Sequence, residues 1–131
     1  MITFTFPVLE VSRIIHAPLE EVWELLVNTS RWHEWGPSVR SVDCLEEYIK
    51  KGIKGRVQTV VGIWIPFEIT KFTDNYYWAW SVSGVHATGH RVELINEKQC
   101  RLIFEVPLLA APYVTVCKIA AKRIEKLLQR Q

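Results

Sequence analysis

The chain has 131 residues, 49% of them apolar and 23% charged, with a formal net charge of +2. That composition excludes disordered and fibrous classes and fits one compact domain, and no apolar run approaches the roughly 20 residues needed to cross a bilayer. The positive charge is too mild to argue for a nucleic-acid partner.

Met1 to Pro7 has neither a basic stretch nor a long apolar segment and does not read as a signal peptide. Leu9 to His16 mixes β-branched and polar residues and reads as a strand. Pro18 suits a first helical turn, and Glu20 and Glu21 favour the positive end of the helix dipole. Leu19, Val22, Trp23 and Leu26 then form one apolar stripe. Asn28-Thr29-Ser30 breaks this helix, and Ser30 is the expected cap of a short second one through Trp32 and Trp35, stopped by Gly36-Pro37.

From Val39 the period changes to two. Strands are expected at Val39 to Glu46, Arg56 to Val61, Phe67 to Thr73, Tyr76 to Ser83, Ala87 to Ile95 and Arg101 to Val106. Pro66 cannot donate to a ladder and is assigned to the hairpin loop before Phe67. Val39, Val42 and Leu45 do not share a face, which leaves room for a bulge. A last helix starts at Pro112. Cys117, Ala120, Ala121, Ile124, Leu127 and Leu128 lie on one side, with Lys118, Lys122, Arg123, Lys126 and Arg130 over much of the rest. This order predicts an α+β fold in one domain spanning 1–131. An antiparallel sheet of about seven strands is covered by the long C-terminal helix, with two short helices after the first strand.

Alternation sorts the faces. Trp78, Trp80 and Val82 share one, as do Thr88, His90, Val92 and Leu94, then Leu102, Phe104 and Val106, and Val57, Thr59 and Val61. The more apolar set is expected to face the helix. There the helix offers the small Cys117, Ala120 and Ala121, so a hollow is expected unless Trp78 and Trp80 fill it. Ala120→Trp is then expected to block ligand uptake while leaving the fold intact.

Val11-Ser-Arg-Ile-Ile-His-Ala-Pro18 followed by Glu-Glu-Val-Trp23 resembles the opening of the START/Bet v 1-like (SRPBCC) superfamily, which includes polyketide cyclase/dehydrase and lipid-transport proteins. Arg31 to Pro37, Gly55-Arg56-Val57, Glu68-Ile69-Thr70, Trp78-Ala-Trp80, Gly84, His90 to Leu94 and the terminal amphipathic helix continue the likeness over residues 9 to 130. The resemblance implies a helix-grip fold, a curved sheet wrapped around the last helix with an elongated cavity between them. It also implies binding of lipids, sterols, polyketides or other apolar molecules, cyclisation or dehydration in some members, and protein contact in co-chaperone members. Fold alone does not choose among these.

For chemistry, His90 is the inward acid–base candidate, with Tyr77, Tyr113 or Cys117 as assistants, although a lone inward histidine is more often a hydrogen-bonded core residue. His86 and His90 on one strand would lie about 13 Å apart, too far to share an ion, and there is no Cys-x-x-Cys, so no metal is expected. No cofactor is expected either. The three cysteines, Cys44, Cys100 and Cys117, are widely spaced and fit isolated thiols in a reducing, cytoplasmic setting. The basic helix reads as a solvated face with no nucleic-acid role, leaving transient contact with a membrane surface open.

The expected ligand site has Trp78, Trp80, Leu102 and Phe104 as wall, and His90 with Thr59 as polar anchors. Cys117, Ala120, Ala121 and Ile124 form its helix side, and Trp32, Trp35 and Trp64 its entrance. Trp64 lies in the apolar loop Gly62-Ile-Trp-Ile-Pro66, for which closure over the cavity is favoured over membrane insertion or subunit contact. The expected partner is a small, largely apolar molecule, lipid- or polyketide-like. The alternatives are a polyketide cyclase/dehydratase-type enzyme and a co-chaperone-like interaction module.

Overall fold

The computed structural model describes residues 8–129. Strand β1 (Val8–Ile15) leads into helix α1 (Leu19–Val27), a 3-10 turn at Thr29–Arg31 and the one-turn helix α2 (Trp32–Trp35). Six strands follow: β2 (Val39–Asp43), β3 (Lys54–Thr59), β4 (Trp64–Thr73), β5 (Tyr77–Val82), β6 (Val85–Asn96) and β7 (Gln99–Pro107). A 3-10 segment, Leu108–Tyr113, then enters helix α3 (Val114–Gln129). The seven strands form one sheet in the order β1-β7-β6-β5-β4-β3-β2, every neighbouring pair antiparallel. This is the α+β, helix-grip arrangement, with α3 closed in the curve of the sheet and the core between them.

Local chemistry explains most of the elements. The β5–β6 hairpin turns through Ser83 (φ 51°) and Gly84 (φ 77°), the paired left-handed conformations that a two-residue turn requires. Leu19, Val22, Trp23 and Leu26 of α1 are all buried, and so are Cys117, Ala120, Ala121, Ile124 and Leu128 of α3. Gly55 is needed because Phe67 crosses its strand so closely that a Cβ would sit 2.8 Å from the ring.

Three local expectations are corrected. The cap before α2 is supplied by Asn28, whose side-chain oxygen accepts from the Ser30 backbone N–H at 3.0 Å; Ser30 is therefore the capped residue. Pro66 lies inside β4, opposite Arg56. It is tolerated there because its carbonyl faces β5 and accepts from Ser83 N–H. The missing N–H on that same side falls past the end of β5, whose pairing with β4 starts at Phe67↔Val82. Val61 and Leu94 do not face the helix; both are exposed, Val61 in the turn after β3 and Leu94 near the end of β6. In β2 the register shifts between Val39 and Ser41, which is why its apolar residues break alternation.

Candidate functional site

Opposite Cys117 and Ala120 the interior is occupied, and the occupants come from α2. Trp32 stacks on Trp78 with ring centroids 5.4 Å apart and planes 7° from parallel, and meets Trp80 and Phe67 at 5.5 Å each. Trp35 packs against His90 and Phe104. Each indole N–H is anchored: Trp32 Nε1 donates to the Leu26 carbonyl at 2.9 Å, and Trp35 Nε1 to the Leu25 carbonyl at 2.7 Å. Those carbonyls belong to the last turn of α1, where no intrahelical partner exists. Trp32 and Trp35 are therefore buried structural plugs that fasten α2 to α1.

The hollow that remains measures about 40 Å³ and is bounded by these two indoles, Trp78, His90, Phe104, Cys117 and Ala120. It holds about three waters at most. Ala120→Trp is consequently expected to overpack the core. Thermal unfolding of that variant should show a loss of about 1–3 kcal/mol, against the unchanged fold that the sequence suggested.

A larger space opens toward the end of the sheet where the β3–β4 and β5–β6 hairpins meet the 3-10 segment. This groove has a volume of about 360 Å³, lined mainly by Val39, Val57, Ile65, Val82, Ala110 and Pro107, with Thr59, Trp80, Thr88 and Tyr113. Ser38, Val39, Trp80, Thr88 and Tyr113 border both spaces. Ser38 and Tyr113 join their hydroxyls at 2.5 Å, tying the loop before β2 to the start of α3. Neither lining contains Asp, Glu, Lys or Arg.

A bulge shapes the floor. Between Ala79↔Gly89 and Ser81↔His86, β6 gains a residue on β5, so that both Ala87 and Thr88 reach the groove opposite Trp80. Behind them runs a one-way chain of hydrogen bonds. Trp80 Nε1 donates to Thr88 Oγ1 at 3.0 Å, the Thr88 hydroxyl faces His90 Nε2 at 3.3 Å, and His90 Nδ1 faces the Trp78 carbonyl at 3.2 Å. A carbonyl only accepts, so Nδ1 carries the proton, Nε2 is bare, and Thr88 donates to it. Burial pushes the His90 pKa down to about 3, and the ring lies stacked on Trp78 with centroids 3.7 Å apart. His90 is thus a neutral, fully engaged core histidine. Burial likewise pushes the Cys117 thiol up to about 11, leaving it protonated and inert.

Of the expected site residues, Trp80 and Thr59 line the groove, while Trp32, Trp35, Trp78, His90, Phe104, Cys117 and Ala120 surround the small hollow. Leu102, Ala121 and Ile124 border neither space and belong to the solid core. Trp64 lies on the outer face: its neighbour Ile65 points into the groove, and Trp64 stacks under the Arg56 guanidinium at 5.0 Å, so it does not close the opening. Alternation put Val82 on the inward face with Trp78 and Trp80, but the sequence did not mark Ser38, Val39, Ile65 or Ala110 as groove residues. Ile65 could have been found by carrying the alternation of β3 across to β4, where it pairs with Val57. Ser38 and Ala110 sit in aperiodic segments that give no such signal.

A family model described as polyketide cyclase / dehydrase and lipid transport matches residues 7–130. The chain belongs to that family. Its fold is shared with solved structures of low identity. A protein from Mesorhizobium loti superposes with a TM-score of 0.76 at 12% identity, over 95% of this chain and 98% of that one. A hypothetical protein from Helicobacter pylori gives 0.75 at 13%, over 94% and 88%. DynU16, a protein of the dynemicin biosynthetic locus, gives 0.67 at 19%, over 93% of this chain and 47% of its own. No curated protein matches in sequence. The family's description spans catalysis and transport, so the choice between them rests on the residues above.

Proposed function

We propose that the protein binds a small, uncharged, largely apolar molecule, lipid- or polyketide-like, in the groove between the β3–β4 hairpin, β5–β6 and the 3-10 segment. The observation that carries this reading is a space of about 360 Å³ walled by aliphatic side chains with no Asp, Glu, Lys or Arg among them. Such a site rewards apolar area at roughly 25 cal/mol per Å², less the cost of immobilising the ligand, and it penalises any unpaired charge. The volume is near the small end of ligand pockets, which favours a compact ligand or one that leaves part of itself outside. Family membership supports the same class, because cyclisation, dehydration and lipid transport all handle apolar molecules. Binding is preferred to turnover because both nitrogens of His90 are already committed to Thr88 and Trp78.

The test uses the neutral dye N-phenyl-1-naphthylamine. The protein is expected to take it up with enhanced emission. Ala110→Trp, which sets an indole into the groove from the partly exposed 3-10 segment, is expected to weaken uptake at least tenfold with the melting temperature nearly unchanged. Equal uptake by both proteins, or none by the parent, would defeat the reading.

A further inference from the structure

We propose that the open end of the groove docks onto an anionic phospholipid surface, led by the β3–β4 hairpin. This goes beyond binding of the ligand itself and rests on a different part of the molecule.

The strand order brings four segments to one end, residues 36–42, 57–66, 82–90 and 106–117, beside the start of β1, where Val8 pairs with Pro107. The four segments contain no aspartate or glutamate, and Glu10 of β1 is held by Arg91. They expose instead a group of large apolar side chains: Val60 (61% exposed), Val61 (75%), Ile63 (60%) and Trp64 (40%) on one hairpin, Val85 (68%) on the next, and Leu108 (50%) on the 3-10 segment. Scattered apolar residues are ordinary on a protein surface, but six at one end around a groove mouth are a patch. Tryptophan beside aliphatic residues, with an arginine over its ring, suits the boundary between headgroups and acyl chains.

Charge decides which kind of surface fits. At this end Arg40 and Lys118 are exposed and make no ion pair among the described residues. Lys118 is four residues into α3, about 6 Å along the axis from the helix start, less than a physiological Debye length of about 8 Å. Lys126, about 18 Å along, is too far to contribute. The opposite end carries both signs, with Glu20, Glu21 and Glu24 on α1 and Asp74 and Glu97 in the turns beside it, against Lys71, Lys98 and the basic last turns of α3. A negative surface therefore attracts the groove mouth, where Arg40 and Lys118 stand among apolar side chains.

The experiment is sedimentation with vesicles of phosphatidylcholine alone and with 30% phosphatidylserine. The parent protein is expected to pellet with the anionic vesicles and to be released by added salt. Val61→Asp/Ile63→Asp, at two exposed turn positions, is expected to reduce that binding at least tenfold while leaving the melting temperature and dye uptake in vesicle-free buffer unchanged. Retained dye uptake separates this result from any failure of the groove. Absence of binding to anionic vesicles, or undiminished binding by the double variant, would overturn the proposal. So would a dimer in sedimentation velocity that the double variant dissociates, because the patch would then belong to a second copy of the chain.

Discussion

Trp32→Ala is expected to lower stability by about 3–5 kcal/mol, the usual cost of truncating a fully buried aromatic side chain. Trp32 is 2% exposed and touches Phe67, Trp78 and Trp80 at once, so the surrounding rings have no simple way to collapse into the space. The substitution also strips the Leu26 carbonyl of its only indole donor at the end of α1. For a chain of this length the melting temperature should fall by roughly 10–25 °C. The lost volume makes a second readout available. Free indole should bind the new cavity and restore part of the melting temperature in a concentration-dependent way, with no effect on the parent protein. A drop of only a few degrees without indole rescue would mean that Trp32 is a movable gate and not a plug.

Acid should weaken the fold through His90. In the unfolded chain its pKa is about 6.5, and in the folded protein burial holds it near 3. Below pH 6.5 the unfolded state therefore takes up a proton that the folded state refuses. The contribution is fully present above pH 6.5 and is lost progressively as the pH falls toward 3. Between pH 7.5 and 5 the loss amounts to about 2 kcal/mol. Urea unfolding of the parent and of His90→Gln over this range isolates the effect, since the glutamine variant lacks that proton uptake. Parallel pH profiles for the two proteins would show that His90 is not buried as a neutral ring.

The two predictions share a cause. Trp78 stacks on both Trp32 and His90, and its own Nε1 has no hydrogen-bond partner among the described residues. The centre of the grip is thus an aromatic stack with one ordered polar chain threaded through it. That chain, from Trp80 through Thr88 and His90 to the Trp78 carbonyl, faces its donors inward. The groove is left with His86, Thr59 and the Ser38 and Tyr113 hydroxyls as its polar contacts. Both ring nitrogens of His90 are spent in that chain, so the ring holds the floor of the groove in place.

The sequence by itself determined the order of elements and the inward faces of the central strands. Periodicity of two in β5, β6 and β7, and the small-residue stripe of α3, are local consequences of where side chains point along an extended or helical backbone. What only the tertiary structure decided was which side chains fill the space between them. The spacing of Trp32 and Trp35 gave a shared face but not its destination. That was fixed by the bare carbonyls of Leu25 and Leu26, which come within reach only when α1 and α2 fold against each other. Trp64 looked inward as part of an apolar loop, yet one step of alternation beside Ile65 sent it to the opposite face. The groove likewise depends on Val57, Ile65 and Val82 of three different strands meeting Ala110 of the 3-10 segment. A cavity is the volume that distant segments fail to fill, and no local pattern records it.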